Sequence, residues 1–116
     1  MEICFEGIGQ MVATFAAKEE LTPGVAVTLK ESGTVGLGSK SNPLCGVTVG
    51  AERNGAVAVQ IGGVVKVGYS DGEAPGVGWQ ELACDGEGNV TTDGADGVSC
   101  LVLAVDEDEK TVVIKL

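Results

Sequence analysis

Histidine is absent from this 116-residue chain. With it go the usual general base near neutral pH and the commonest nitrogen ligand of zinc, which excludes most hydrolase triads and most zinc sites. Aromatic residues are almost as scarce: Phe5, Phe15, Tyr69 and Trp79 are the whole set. No aromatic platform exists for stacking bases, and valine, leucine, isoleucine and alanine must fill the interior. Basic residues are few, 7 Lys and Arg against 17 Asp and Glu, so the chain carries a net charge of −10 and would repel a polyanion. Nucleic acid is not an expected partner. Long apolar runs are also missing: the longest, 101–105, is too short for a membrane-spanning helix, and no membrane partner is expected. The first seventeen residues end in Phe15-Ala16-Ala17, but Glu2 and Glu6 stand where a signal peptide is positive, and Gly7, Gly9 and Gln10 interrupt its apolar stretch. No export signal is expected, and the chain reads as soluble.

What remains is one domain, long enough to bury roughly two-thirds of the surface its unfolded form exposes without a metal or disulfide staple. Cys4, Cys45, Cys84 and Cys100 are scattered, with no two separated by the short spacing of a zinc knuckle or a redox dithiol. They read as small buried hydrophobes of a protein made in a reducing compartment. Ser70-Asp71 and Ser39-Lys40-Ser41 are the other conceivable nucleophiles, and neither has an evident base and orienting partner. Enzyme activity is not expected, nor is a cofactor or metal. Gly36-Leu37-Gly38 and Gly62-Gly63 lack the following helix and lysine of a phosphate loop and read as strand ends or bulges.

The apolar residues alternate with period two. Val25, Val27 and Leu29 alternate with Ala26, Thr28 and Lys30; Val57, Val59 and Ile61 with Ala58 and Gln60; Val112, Ile114 and Leu116 with Val113 and Lys115. These are half-buried strands. Among nineteen glycines, those in Ser32-Gly33, Asn54-Gly55, Asp71-Gly72, Asp85-Gly86 and Asp93-Gly94 mark turns that recur roughly every eight to twelve residues, the spacing of a small barrel or sandwich. Only 15–21 offers so much as a helical turn.

The two halves echo each other. Pro23-Gly24-Val25 leads into a strand, the Ser32-Gly33 turn and Thr34-Val35; Pro75-Gly76-Val77 leads into 79–84, a glycine turn over 86–88, and Asn89-Val90. Further on, 45–61 aligns without a gap on 100–116. The offsets are 52 (23 to 75) and 55 (45 to 100), a difference that fits inside one loop. The expected architecture is therefore a small all-β barrel or sandwich built from two similar four-stranded units, 23–61 and 75–116 within a single domain 23–116. Residues 1–22 would form an N-terminal arm or an extra strand, because 1–15 lacks a counterpart in the echo. Neither unit could bury its apolar face alone.

A run comprising Pro43-Leu44-Cys45-Gly46-Val47, Arg53-Asn54-Gly55 and 57–67, followed by Tyr69-Ser70, the second Pro-Gly turn, Leu82 with 85–90, and an ending of 101–106 with 111–114, resembles the small all-β capsid decoration proteins of tailed phages and prophages. The resemblance covers most of 11–116. It implies a non-enzymatic virion protein, made in the bacterial host cytoplasm, that coats and stabilises the head shell from the capsid exterior. The implied partner is the major capsid protein, the implied assembly a homotrimer, and the implied anchor an N-terminal segment. Ile3, Phe5, Ile8, Met11 and Phe15 in that segment, and the lone Trp79, are the candidate subunit or capsid contacts, the plain alternative for Trp79 being a partly buried side chain that closes one end of a barrel. A binding module of a phage tail, fibre or surface protein, recognising a polysaccharide or a protein partner, is the other reading.

Two acidic segments need separate mention. Asp85, Glu87, Asn89, Asp93 and Asp96 are spaced loosely like a calcium loop, but Val90 stands where the sharp turn needs glycine, so they read as solvated turn residues. The run 106–110 between two apolar strands reads as an exposed hairpin tip.

Overall fold

The computed structural model describes residues 10–38, 42–70, 74–92 and 97–116. Ten β-strands are formed, and no helix occurs among the described residues. The all-β class expected from the alternation is the class observed, as a closed five-stranded barrel and a curled five-stranded sheet. The helical turn allowed over 15–21 does not form: Phe15 lies inside β1 (Met11–Ala17), opposite Val57 of β5 (Ala56–Gly62).

In the barrel, β2 (Ala26–Glu31) lies between β3 (Thr34–Gly36) and β4 (Gly46–Thr48), and the order β1-β3-β2-β4-β5 closes where β5 pairs antiparallel with β1. The second sheet contains β6 (Val64–Gly68), β7 (Gly78–Cys84), β8 (Val90–Thr91), β9 (Val98–Asp106) and β10 (Thr111–Lys115), in the order β6-β10-β9-β7-β8. Its edges meet at a parallel bridge between Tyr69 and Val90, where the Ser70 N–H donates to the Val90 carbonyl at 2.9 Å.

Strand for strand, the two orders match. Three pairings also match in register: Ala16 opposite Ala56 and Gly68 opposite Thr111; Ala17 beside Val35 and Tyr69 beside Val90; Val27 opposite Gly46 and Trp79 opposite Leu101. β1 thus holds in the barrel the place that β6 holds in the second sheet. The hairpin turns differ in chemistry at corresponding points. Asn54 and Gly55 both have positive φ, 53° and 80°, the pattern of a tight type I′ turn whose twist suits a hairpin. In the other hairpin Lys110, φ 56°, takes the left-handed conformation that Gly55 takes in the first.

Two apolar clusters hold the molecule together. Inside the barrel, Leu21, Val27, Val35, Val57 and Val59 are buried, with Phe15, Val25, Leu37 and Ile61 packed against them. The larger cluster joins Val67, Tyr69, Leu82, Val90, Val102, Val112 and Ile114 of the second sheet to Ala26, Leu44 and Val47 from the outside of the barrel. Each such fully buried aliphatic side chain contributes about 1.5–3 kcal/mol. β2 therefore departs from the simple alternation expected of it. Ala26, Val27 and Thr28 are all buried while Leu29 is 51% exposed, because Val27 faces the barrel interior and Ala26 faces the second sheet. The junction is tied by backbone bonds from the Ala26 N–H to the Gly88 carbonyl (2.8 Å) and from the Cys84 N–H to the Asn42 carbonyl (3.1 Å).

An irregularity on β9 sets the second sheet apart from the barrel at the contact that matters for its outer face. In the barrel, β4 and β5 run in continuous register, Val47 opposite Gln60 and Thr48 opposite Val59. In the second sheet Val113 is opposite Ala104 but Ile114 is opposite Val102, leaving Leu103 as a β-bulge. Because side chains alternate faces, one extra residue reverses the facing of everything beyond it. Val102 thus joins the core, and Leu101 with its cross-strand neighbour Trp79 is turned outward. Val27, at the corresponding barrel position, is fully buried, whereas Trp79 is 68% exposed.

Candidate interaction surface

Among the described residues the chemically capable side chains are dispersed or occupied; Ser39, Lys40, Ser41, Asp71, Asp93 and Asp96 lie outside them. Cys84 and Cys100 are buried and Cys45 is half-buried, all as free thiols, while Cys4 lies outside the described residues. Burial pushes all three thiols up; Cys84 reaches about 12, with the charge of Asp85 and the neighbouring Cys45 adding to the desolvation. Thiols held protonated are poor nucleophiles and poor metal ligands. Among the described residues no three His, Cys, Asp or Glu side chains are grouped to hold a metal ion.

The acidic turns spend their oxygens on their own backbone. Asp85 Oδ1 accepts from the Glu87 N–H (2.7 Å) and the Asn89 N–H (3.0 Å), and Asp106 Oδ1 accepts from the Asp108 N–H (3.0 Å) and the Glu109 N–H (3.1 Å). These are Asx-type turns, and the tip 106–110 is exposed throughout. An open recess beside them is lined by Tyr69, Ser70, Asp85, Asn89 and Glu109. Buried polar groups are structural too. Thr48 Oγ1 accepts from the Val25 N–H (3.0 Å) and donates to the Thr22 carbonyl (2.7 Å); Gln60 Nε2 donates to the carbonyls of Gly62 (2.9 Å) and Val64 (3.1 Å), pinning the passage between the sheets. Lys18 and Glu31 form an exposed ion pair whose hydrogen bond raises the lysine's pKa and lowers the glutamate's.

Several large apolar side chains stand exposed among the described residues. Met11, at the start of β1 beside Gly62, is 60% exposed and Val12 is 45% exposed. Phe15 is partly buried against the barrel core. Ile3, Phe5 and Ile8 lie outside the described residues. Trp79 stands out from β7, so the picture of a partly buried indole closing a barrel end is corrected: the bulge on β9 puts it on the outer face. Val77, 69% exposed, flanks it. The structure adds Leu101 and Lys115 to the same face, because Leu101 pairs with both Trp79 and Lys115. Alternation along 98–106 offered no sign of the bulge, so the sequence could not assign them there.

Fold and surface together define a small all-β protein with several exposed apolar side chains. No family model matches the sequence, and no curated protein matches it. In three dimensions it is similar to a chain of the capsid of Myoviridae phage XM1, with a TM-score of 0.68 and 16% sequence identity, over 95% of this chain and 84% of the other. The shared fold extends over nearly all of this chain and most of the other.

Proposed function

We propose that this protein is a structural, non-enzymatic component of a phage or prophage virion that coats the head shell from outside and stabilises it. The observation that carries the reading is the fold shared with a phage capsid chain over 95% of its length. It agrees with the sequence resemblance to capsid decoration proteins and with a surface on which exposed apolar side chains outweigh any assembled chemistry. In this reading the major capsid protein is the partner and three copies form a trimer on the shell. The N-terminal segment bearing Ile3, Phe5, Ile8 and Met11 reaches the shell, and Phe15 roots it in the barrel. The matching strand orders and the three matching registers support a duplicated unit.

A coat that binds the expanded shell but not its precursor stabilises the expanded form by mass action, by about 2.7 kcal/mol per site when free protein is a hundredfold above its Kd. The test mixes purified protein with expanded and precursor shells of the phage that encodes it. Saturable binding to expanded shells, with a rise in their resistance to heat and to removal of divalent ions, is expected. Phe5→Asp is expected to weaken that binding while leaving the unfolding midpoint of the free protein unchanged. Absence of binding to either shell refutes the reading and favours the polysaccharide- or protein-binding module.

A further inference from the structure

We infer that the outer face of the second sheet is a self-association surface, on which Trp79 of one copy stacks over Lys115 of a second copy across a twofold axis. The inference begins with the bulge at Leu103, which turns Trp79 and Leu101 away from a core that their barrel counterparts help to line. Bulges re-aim side chains at places of use, and an indole left 68% exposed forfeits the apolar stabilisation that burial would give it.

The pairing across the sheet makes this face self-complementary. Trp79, Leu101, Lys115 and Val64 form one row over β7, β9, β10 and β6. Trp79 and Lys115 sit one strand to either side of Leu101, each about 4.8 Å from it. A twofold axis parallel to β9 at Leu101 therefore exchanges their positions. Leu101 then meets Leu101, and each ammonium lies over the partner's indole, within the roughly 6 Å reach of a cation–π contact at the spacing of aligned, packed sheets. Lys115 is exposed and forms no ion pair among the described residues.

Charge points to the same face. The chain as a whole carries −10, so two copies repel over most approaches. On this face Lys66 and Lys115 stand against Glu81, with Lys66 held to Glu109 at 3.3 Å. It is a place where two acidic molecules can meet at near-balanced charge. The footprint, four strands at about 4.8 Å by about five residues at 3.4 Å, is roughly 300 Å². That is below the ~800 Å² per partner of a standard interface, so the pair is weak and forms at high concentration.

Sedimentation equilibrium of the full chain, from micromolar to millimolar, tests this without any shell, so its failure leaves the coating proposal standing and success does not depend on it. The mass of the wild type is expected to approach twice that of Trp79→Ala at the highest concentrations. Trp79→Ala and Lys115→Glu are each expected to weaken association at least about tenfold, since each change acts twice per pair. Leu29→Ala, which removes a comparably exposed apolar side chain from the barrel, serves as the control and is expected to change nothing. Raising the salt concentration is expected to strengthen association by screening the mutual repulsion. A wild type whose mass never exceeds that of Trp79→Ala overturns the inference, as does equal weakening by Leu29→Ala. Unchanged unfolding midpoints establish that the variants fold.

Discussion

Gly46 and Leu101 occupy corresponding points of the two units, one opposite Val27 and the other opposite Trp79, and the structure assigns them opposite tolerances. A methyl group added at Gly46 would lie 2.4 Å from the Gln60 carbonyl oxygen and 2.7 Å from Val59 Cγ1. The first of these is backbone of the neighbouring strand in a closed barrel, so relief requires moving β4 away from β5 by most of an ångström. Overpacking of this kind costs about 1–3 kcal/mol, and the rigidity of the closed ring puts Gly46→Ala at or above the upper end. Leu101→Ala removes a side chain that is only partly buried on an outer face, about half of a full leucine's transfer energy, or roughly 1 kcal/mol. Urea unfolding of the two variants and the wild type at dilute, monomeric concentration gives the comparison, with unchanged m-values as the check that only stability moved. For a domain of this size the difference should also appear as a Gly46→Ala midpoint lowered by roughly 10 °C. A Gly46→Ala variant within about 0.5 kcal/mol of wild type, or a Leu101→Ala variant that is the less stable of the two, would refute the argument that the bulge makes corresponding residues face opposite ways.

Two further changes follow from backbone and burial. Lys110→Gly relieves a left-handed lysine at the place where the other hairpin has Gly55 and is expected to stabilise by about 0.5–1 kcal/mol in the same urea assay; destabilisation would show that the side chain matters more than the backbone strain. The Cys84 thiol, pushed up to about 12 by burial, contributes stability that is fully present below the ordinary thiol range near 9 and lost as pH rises from there through about 12, because the unfolded chain ionises first. Stability measured over that window should fall less steeply in Cys84→Ala than in the wild type, and equal slopes would show that the thiol is not desolvated. In native protein at pH 8, Cys84 and Cys100 should resist a thiol reagent that modifies them at once in urea, which mass spectrometry of the labelled peptides can read.

The strands were legible in the sequence because alternation follows from backbone geometry: Val57, Val59, Val112 and Ile114 are buried as their period-two spacing requires. So were the turns, since Asn54-Gly55 supplies the two positive φ angles a tight hairpin needs, and Asp85 and Asp106 hold their own turn backbones. The candidate surface was less legible. Trp79 could be named as a contact, but its facing depends on Leu103, whose side chain differs in no local way from those that continue the ladder. The burial of β2 on its second face was not legible, because a strand buried from both sides shows the same local pattern as one whose outer face is wet until its neighbour is known.

The sequence by itself determined the fold class: period-two alternation of valine and isoleucine favours strand over helix, and a chain without histidine has no imidazole to serve as base or ligand. Tertiary structure alone decided which strands meet, that Ala26 and Val47 leave their own barrel to seal the second sheet, and that Trp79 looks outward. The physical reason is that propensity and alternation act between neighbours in the chain, whereas β1 and β6 find their antiparallel partners about forty to fifty residues away and the facing beyond the bulge depends on which side of the sheet a neighbour covers, neither of which the local sequence encodes.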